Sequence, residues 1–348
     1  MITGRSIESN NHIVCIGPGF AKDELDTACL PFFQMFVREL ERQGAQVTII
    51  SLHYPYTGKE YSWNGIPVYP MNGKNKRLNR LFFLYSKVKK TFAKIHAKRK
   101  VDVIHAFWLN ESTLFAQRLE DEFGVPSVGA AVGQDSKITN GYLKKIDPSK
   151  KITSSCTQQA EMLTKSGFID VDVIPLGVDC EGKYDKRVDL IGVGNLIPLK
   201  NFEYFIEICA HLKEKKPNFT AVLVGSGTQK DLLKSQIEKY GLSPNVQLLG
   251  QLEYDKTLEY IGSARILIHP STYEGFGMII IEALALGTHV LASPVGIAKD
   301  LKEVSTLTFS KETDVEKVED LLNAPEQISV VYSVKSTVKA FNKIYDSF

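Results

Sequence analysis

Short apolar runs rich in Val, Ile and Leu alternate along the chain with longer stretches in which apolar residues recur every three or four positions. The short runs predict buried strands, and the longer stretches predict helices with one apolar face. This alternation is typical of βαβ units, in which helices cover both faces of a parallel sheet. In the first half the predicted strands are residues 13–16, 47–51, 66–69, 101–105, 127–131, 151–154 and 171–174, and the predicted helices are 30–43, 76–99, 111–123 and 156–166.

The alternation starts again after a polar, glycine-containing stretch at residues 182–186, which predicts a second domain of the same kind. We therefore expect an α/β chain with two Rossmann-like domains, residues 1–182 and 183–326, whose parallel sheets face each other across a cleft. The segment from residue 324 is predicted to be helical, with 327–348 packing back toward the first domain. In the second half the predicted strands are 190–193, 221–224, 246–249, 266–268, 290–292 and 306–309, and the predicted helices are 201–215, 228–240, 255–262 and 277–286.

Composition indicates an ordinary globular protein, because 43% of the 348 residues are apolar and 24% are charged, values that exclude global disorder. The five cysteines lie far apart and form no Cys-x-x-Cys pair, which favours reduced thiols over a zinc or disulfide site. No signal-peptide pattern and no run of 18 apolar residues is present, so we expect a cytoplasmic protein without a membrane-spanning helix.

Three glycine pairs follow predicted strands, at residues 17–19, 192–194 and 225–227. None completes the Gly-x-Gly-x-x-Gly fingerprint, so a nicotinamide or flavin site is weakly supported. The glycines either permit tight backbone turns or let backbone amides face an anion, and the sequence leaves both interpretations open.

The most specific stretch is EGFGMIIIE, residues 274–282, at the predicted start of a helix. Free amides and the positive dipole end of such a helix suit a phosphate, and the two carboxylates, Glu274 and Glu282, suit sugar hydroxyls. The helix is apolar nearly all round, so Glu282 is expected to be buried and to need partners.

With this motif the sequence resembles the family 4 glycosyltransferases of the GT-B fold, whose hallmark is a pair of glutamates separated by seven residues. The resemblance implies a retaining sugar transfer from a nucleoside diphosphate sugar, a UDP- or GDP-sugar, to a glycan or lipid-linked acceptor in surface polysaccharide or glycolipid synthesis. It also implies no metal ion and no other cofactor. The supporting stretches are VDVIHAFW at 101–108, VIPLGVD at 173–179, GVGNLIPLKN at 192–201, AVLVGSG at 221–227, NVQLLGQL at 245–252 and ALALGTHVLASPVG at 283–296.

The resemblance also implies roles for individual residues. Glu274 would contact the donor sugar, Glu282 the ribose, and Lys200 the diphosphate; Glu274, Lys200 and His105 are the implied catalytic residues. The implied donor-binding residues are Gly17, Gly19 and Phe20 in the first domain and Asn195, Lys200, Gly225, Gln251, Leu252, Glu274, Phe276, Gly277, Met278 and Glu282 in the second.

Two positions depart from the family pattern. Asn195 stands where the family commonly has an arginine, so one of two phosphate cations is missing. Phe107 replaces the second histidine of a His-Ala-His motif, and the remaining His105 is open to a buried, structural interpretation. A nucleotide-sugar 2-epimerase on the same scaffold and a non-catalytic nucleotide-sugar or glycan-binding protein therefore remain alternatives.

Charge is distributed unevenly, although the whole chain is nearly neutral at +2. Residues 74–100 hold eleven Lys or Arg and no acid, while the rest of the chain holds 31 basic and 40 acidic residues. Leu78, Leu81, Tyr85, Val88, Phe92 and Ile95 form an apolar stripe within this segment.

The plain interpretation of this segment is a helix that packs on the sheet and keeps its charges in water. The alternative is docking on an anionic membrane through Phe82, Phe83 and the neighbouring cations, at the inner face of the cell membrane. No nucleic-acid motif accompanies the charge, so no nucleic-acid partner is expected.

Overall fold

A computed structural model describes residues 11–27, 29–74, 81–180, 182–326, 329 and 332–348. The chain divides into two compact units. The first contains the residues up to Gly177 together with Val334–Phe348, and the second is Val178–Ser333. The predicted domain boundary at Gly182 therefore lies inside the second unit, which begins at Val178.

The first unit is built on an eight-stranded sheet in the order β3-β4-β2-β1-β5-β6-β7-β8. All neighbouring strands are parallel except β3 and β4, which form an antiparallel pair. The strands are β1 His12–Gly19, β2 Gln46–Tyr54, β3 Tyr61–Trp63, β4 Ile66–Pro70, β5 Val103–Phe107, β6 Ser127–Ala131, β7 Ile152–Ser154 and β8 Asp172–Val173. The helices are α1 Pro31–Arg42, α2 Leu81–Lys98, α3 Glu111–Phe123 and α4 Thr157–Lys165.

The second unit is built on a six-stranded parallel sheet in the order β11-β10-β9-β12-β13-β14. The chain winds outward from β9 in one direction and then outward from β12 in the other, so the winding reverses between these two strands. Ligands of open α/β sheets bind outside the carboxyl ends of the strands at such a reversal. The strands are β9 Val188–Val193, β10 Ala221–Val224, β11 Val246–Gly250, β12 Ala264–His269, β13 His289–Ala292 and β14 Val304–Thr306, and the helices are α5 Phe202–Lys215, α6 Lys230–Lys239, α7 Tyr254–Gly262, α8 Met278–Ala285 and α9 Lys311–Asn323.

A tenth helix, α10 Val334–Tyr345, belongs to the first unit. Its apolar face packs on α1, where the rings of Phe36 and Phe341 lie 5.4 Å apart. The helical segment predicted from residue 324 is too long: residues 324–326 are not helical, and α10 begins at Val334.

Three other elements differ from the sequence expectations. The last strand of the second sheet is Val304–Thr306 rather than 306–309, because the backbone amides of Thr308 and Phe309 turn to donate to the Asp314 carboxylate. Helix α9 and strand β3 were not predicted. The start of the predicted helix 76–99, including Lys76, Arg77, Leu78 and Arg80, lies outside the described residues, and the described helix runs from Leu81 to Lys98.

Each unit has its own hydrophobic core. In the first, Tyr85, Val88, Phe92 and Ile95 of α2 are buried, which confirms that the described part of the apolar stripe packs inward. In the second, α5 contributes Phe202, Phe205, Ile208 and other apolar residues to the space beneath the sheet. Within the described residues, we find no helix long and apolar enough to cross a bilayer.

Candidate functional site

A largely buried ion pair lies where the winding of the second sheet reverses. Lys200 ends a short 3₁₀ turn that follows β9, and Glu274 lies in the loop that follows β12. The Lys200 Nζ is 2.5 Å from Oε1 of Glu274, and the two side chains are only 18% and 12% exposed. The structure therefore brings together the two residues that the resemblance assigns to the diphosphate and to the donor sugar.

His269, the last residue of β12, is a third member of this cluster that the sequence analysis did not identify. Its ring is completely buried, and its Nε2 lies 2.7 Å from the same Oε1 of Glu274. The Ser271 hydroxyl lies 3.0 Å from that nitrogen. The sequence gives no sign of a role for His269, because this residue ends an apolar strand and belongs to none of the recognised motifs.

The electrostatics of the cluster keep Glu274 ionised. Burial alone would raise the pKa of Glu274, but the hydrogen bond from His269 and the nearby Lys200 ammonium lower that pKa to about 2. The carboxylate therefore stays a hydrogen-bond acceptor throughout the neutral range, as a group that receives sugar hydroxyls must be.

Helix α8 begins next to this cluster. Gly277 precedes its first residue, Met278, and has a φ of 97°, a left-handed conformation that favours glycine. No side chain caps this end, so its first amides are not satisfied by a side-chain oxygen. The Phe276 carbonyl accepts from the Ile297 amide at 2.8 Å, and a side chain at Gly296 would lie 2.4 Å from that carbonyl oxygen. Close packing of the two loops thus fixes where the helix begins.

Glu282, the second carboxylate, lies on α8 and is 6% exposed. The Tyr254 hydroxyl donates to its Oε1 at 2.8 Å. Burial raises the pKa of Glu282 to about 7, although the hydrogen bond from Tyr254 opposes the shift. The expectation that Glu282 is buried and has a partner is confirmed, while Tyr254, the partner itself, carried no motif that could have identified it.

The loops after β9, β10 and β11 lie side by side because these strands are neighbours in the sheet. The Gly194 amide donates to the Val224 carbonyl, and the Ser226 hydroxyl lies 3.2 Å from the Gln251 Oε1. A Cβ at Gly225 would sit 1.8 Å from the Gly194 carbonyl oxygen. The absence of a side chain at Gly225 therefore lets two loops approach each other, and its implied role in admitting a nucleotide stays a prediction.

Three other predicted donor-binding residues lie on the loops after β9 and β11. Asn195 and Gln251 are exposed, Leu252 is half-buried, and all three follow the carboxyl ends of their strands. Asn195 has a neutral amide where the family commonly has the guanidinium of an arginine. Among the described residues of the segment after β9, Lys200 is therefore the one cation at the site, rather than one of two.

The first unit places Gly17, Gly19 and Phe20 differently from the expectation. Gly17 and Gly19 are part of β1 rather than of a turn after it, and a Cβ at Gly17 would lie 2.6 Å from the Phe33 ring. Phe20 is completely buried, edge-on to Phe33 and Trp63, and its amide donates to the Tyr54 carbonyl. The Phe20 side chain therefore belongs to the core, and a donor contact at residues 17–20 would have to come from the backbone.

His105, one of the implied catalytic residues, is also a core residue. It has no exposed surface, its ring stacks on Phe107 with centroids 4.2 Å apart, and its Nδ1 hydrogen-bonds the Tyr345 hydroxyl. Burial lowers the pKa of His105 to about 3. A neutral, enclosed imidazole does not reach a substrate, so the structure favours the structural interpretation over the catalytic one.

The described residues contain no group of three or more His, Cys, Asp or Glu side chains arranged to hold a metal ion. All five cysteines are free thiols, and Cys15, Cys156 and Cys209 are buried. Burial raises the pKa of Cys15 and of Cys209 well above the ordinary thiol value, so both are unreactive thiols.

Comparison with known proteins agrees with this architecture. A family model described as "Glycosyltransferase Family 4" matches residues 32–181, and one described as "Glycosyl transferases group 1" matches residues 179–326. The gpi3 subunit of phosphatidylinositol N-acetylglucosaminyltransferase from Schizosaccharomyces pombe is 20% identical over 349 residues, which cover 90% of this chain and 76% of that protein.

Two solved structures have the same fold. Sucrose-phosphate synthase from Thermosynechococcus elongatus matches with a TM-score of 0.72 at 17% identity, over 97% of this chain and 98% of that one. Anabaena HepE in complex with UDP and glucose matches with a TM-score of 0.69 at 16% identity, over 97% and 100% of the two chains. With two family models that together span residues 32–326 and with this shared fold, the chain belongs to the family 4, group 1 glycosyltransferases and has the GT-B fold.

Proposed function

We propose that the protein transfers a sugar, with retention of configuration, from a UDP- or GDP-sugar to a glycan or lipid-linked acceptor. The observation that carries the proposal is the Lys200–Glu274 ion pair at the carboxyl ends of β9 and β12. A cation for a diphosphate and an ionised acceptor for sugar hydroxyls lie there side by side. HepE, a structural relative, was solved with UDP and glucose, which supports this donor class.

In the proposed reaction the leaving group is a nucleoside diphosphate, whose negative charge grows as the glycosidic bond breaks. The Lys200 ammonium and the amides at the start of α8 would stabilise that charge in a site with little access to water. The acceptor hydroxyl would attack the face that the diphosphate leaves, and the departing phosphate would take its proton. These groups make the proposed reaction independent of a metal ion.

Glu282 would hold the nucleoside. Its carboxyl group is buried on the same helix as the phosphate-facing amides, and the Tyr254 hydroxyl fixes its Oε1. The other oxygen would then accept from the ribose hydroxyls, and Gln251 and Leu252 would lie beside the base. The name of the S. pombe relative supports a lipid-linked acceptor for this chain.

Nucleotide recognition is tested by thermal shift with uridine, guanosine and adenosine diphosphates. A ligand at 100 times its Kd stabilises a protein by about 2.7 kcal/mol, which raises its Tm measurably. We expect a rise with the uridine or guanosine diphosphate. No shift with any of the three would overturn the proposal.

Turnover separates the proposed transferase from the two alternatives. We expect the cognate donor to be consumed only when an acceptor is present, and to be consumed equally in excess EDTA. A 2-epimerase would convert the donor alone, and a binding protein would leave it unchanged. A strict requirement for added magnesium or manganese would contradict the metal-independent mechanism.

We also propose that α2 docks the enzyme on an anionic membrane surface. Phe82 and Phe83, at the start of the helix, are 74% and 71% exposed, and Lys90 and Lys98 are exposed on the same helix. Other cations have partners within the protein: Lys87 donates to the Met71 carbonyl, Lys89 pairs with Glu122 and Lys94 with Glu60. The exposed rings and the solvated lysines at one surface suit headgroups and acyl chains together.

A further inference from the structure

One oxygen atom, Oε1 of Glu274, is shared by two donors. The Lys200 Nζ lies 2.5 Å from it and the His269 Nε2 lies 2.7 Å from it. In the proposed reaction Lys200 must also contact the diphosphate of the donor. The negative charge of the carboxylate opposes the attraction of the Lys200 ammonium for a phosphate, and the carboxylate also occupies one of the N–H donors of that ammonium. The two contacts therefore compete.

The two donors differ in how freely they can move. His269 ends a strand that pairs with β13, its backbone carbonyl accepts from the Ser293 amide at 3.1 Å, and its ring is completely buried. Lys200 has a long side chain that lies beside Gly194 and retains some exposure. One donor is therefore fixed by the sheet, and the other can swing about its side-chain bonds.

The His269 ring also has a definite hydrogen-bonding orientation. Its Nδ1 is buried and has no hydrogen-bond partner among the described residues. A proton on that nitrogen would be buried without an acceptor, whereas a proton on Nε2 is donated to the Glu274 carboxylate. Of the two polar groups beside Nε2, the Ser271 hydroxyl at 3.0 Å can either donate or accept, whereas the Glu274 carboxylate at 2.7 Å can only accept. The proton on Nε2 is therefore directed at Glu274.

Resting on the proposed donor site, we propose that Lys200 exchanges partners when the donor binds, leaving Glu274 for the diphosphate. His269 is the positioning residue that holds the Glu274 carboxylate in place after the exchange. The sugar then meets a carboxylate that is still oriented, and the return of Lys200 to Glu274 favours release of the nucleoside diphosphate product.

The exchange makes an unusual prediction for product binding. Glu274→Gln removes the charge that holds Lys200 and repels phosphate, so UDP or GDP should bind about 3- to 10-fold more tightly while kcat falls by about 10-fold or more. His269→Met leaves Lys200 as the main partner of Glu274, so the same nucleotide should bind about threefold more weakly and kcat should fall by about 10-fold or more.

A double-mutant cycle of Glu274→Gln and His269→Met tests whether His269 acts through Glu274. Isothermal titration calorimetry with UDP and with GDP measures the nucleotide affinity of each variant. In the Glu274→Gln background, His269→Met should change nucleotide affinity by less than about twofold, because the carboxylate that it positions is gone. His269→Gln, which keeps an N–H donor, should restore most of kcat. His289→Met, at the opposite end of the neighbouring strand β13, serves as the matched control and should change neither quantity.

Each outcome has a distinct meaning. Equal effects of His269→Met in both backgrounds would show a merely structural role and overturn the proposal. Unchanged or weaker nucleotide binding in Glu274→Gln would overturn the exchange of partners. If neither UDP nor GDP binds the unaltered protein, the proposed donor site itself is wrong, and that result is visible before any variant is made.

Discussion

Removing one partner of the Lys200–Glu274 pair leaves the other charge largely shielded from water and unpaired, which costs more than breaking an exposed ion pair. Replacing either residue with Ala should lower kcat/KM by about 10- to 150-fold, since a contact to a charged group contributes about 1.5–3 kcal/mol. Initial rates at low donor concentration measure the loss, and circular dichroism checks the fold. Lys215→Ala is the matched control, because Lys215 pairs with Glu319 at 2.8 Å on an exposed surface of the same unit. Near-normal activity of Glu274→Ala or Lys200→Ala would remove these residues from the donor site.

Glu282 should make the stability of the protein depend on pH. Its folded pKa of about 7 lies above the ordinary 4.5, so between these values the folded protein binds a proton that the unfolded chain has released. Stability should therefore fall as pH rises from about 4.5 to about 7, by about 3 kcal/mol at most. Glu274 has the opposite shift, and its contribution is lost only as pH falls from 4.5 toward 2.

Urea denaturation across pH 4.5–8 measures this effect. The slope that Glu282 contributes should disappear in Glu282→Gln, which keeps the size of the side chain and an amide acceptor for Tyr254. An unchanged pH dependence in that variant would show that another group titrates in this range.

At the scale of elements, the turn after β10 is held by contact between two backbones. Gly225→Ala would force a methyl group to within 1.8 Å of the Gly194 carbonyl oxygen at a φ of 143°. We expect a loss of more than about 2 kcal/mol of stability together with weaker nucleotide binding, since both loops must separate. Gly241→Ala tests conformation alone, because its φ is 62° and the nearest atom is the end of the Lys213 side chain, 3.5 Å away.

Gly241→Ala should lose only about 1 kcal/mol, as expected for a left-handed residue whose new methyl group makes only an ordinary contact. Melting curves of the two variants give the comparison. Equal losses would mean that the close approach of the loops contributes little to the fold.

The sequence predicted most central strands because they are buried on both faces and therefore continuously apolar. It failed where tertiary contacts decide the structure. Helix α9 was not predicted although Val315, Val318 and Leu322 recur at helical spacing, because charged residues occupy most of its other positions. The chain leaves β14 early because of the Asp314 carboxylate, a contact that local propensity does not encode.

The candidate site was predictable only in part, for a related reason. The Glu-x₇-Glu motif and Lys200 are chemical signals that the sequence displays, and parallel topology brings their loops together. His269 and Tyr254 belong to the site only because they hydrogen-bond Glu274 and Glu282 respectively. These contacts depend on the pairing of β12 and the packing of α7, which the local sequence does not display. Phe20 and His105 carried the family pattern, yet aromatic packing in the first unit encloses both.

At the scale of the whole molecule, membrane docking should need both the exposed rings and the exposed cations of α2. We expect the protein to sediment with anionic liposomes and little with neutral ones, since each basic residue near such a surface contributes about 1 kcal/mol. Binding should weaken as salt shortens the screening length from about 10 Å at 0.1 M to about 3 Å at 1 M.

Two pairs of substitutions test the surface without breaking internal contacts. Phe82→Ser with Phe83→Ser, and Lys90→Gln with Lys98→Gln, should each reduce liposome binding and leave nucleotide affinity unchanged. Lys230→Gln with Lys234→Gln on α6 makes the same change of charge elsewhere and is the control. If the unaltered protein ignores anionic liposomes at low salt, α2 is only a packing helix with a solvated face.

The second unit is one continuous stretch, and its two ends meet where the Val178 amide donates to the Tyr332 carbonyl. The first unit, by contrast, needs α10, whose Phe341 and Tyr345 enclose His105. On the ribosome, the second unit can therefore complete its sheet while the first still exposes an aromatic surface around Phe36 and Phe107. The first unit therefore becomes native only after residues 334–345 have emerged, although all of its strands precede the second unit in the chain.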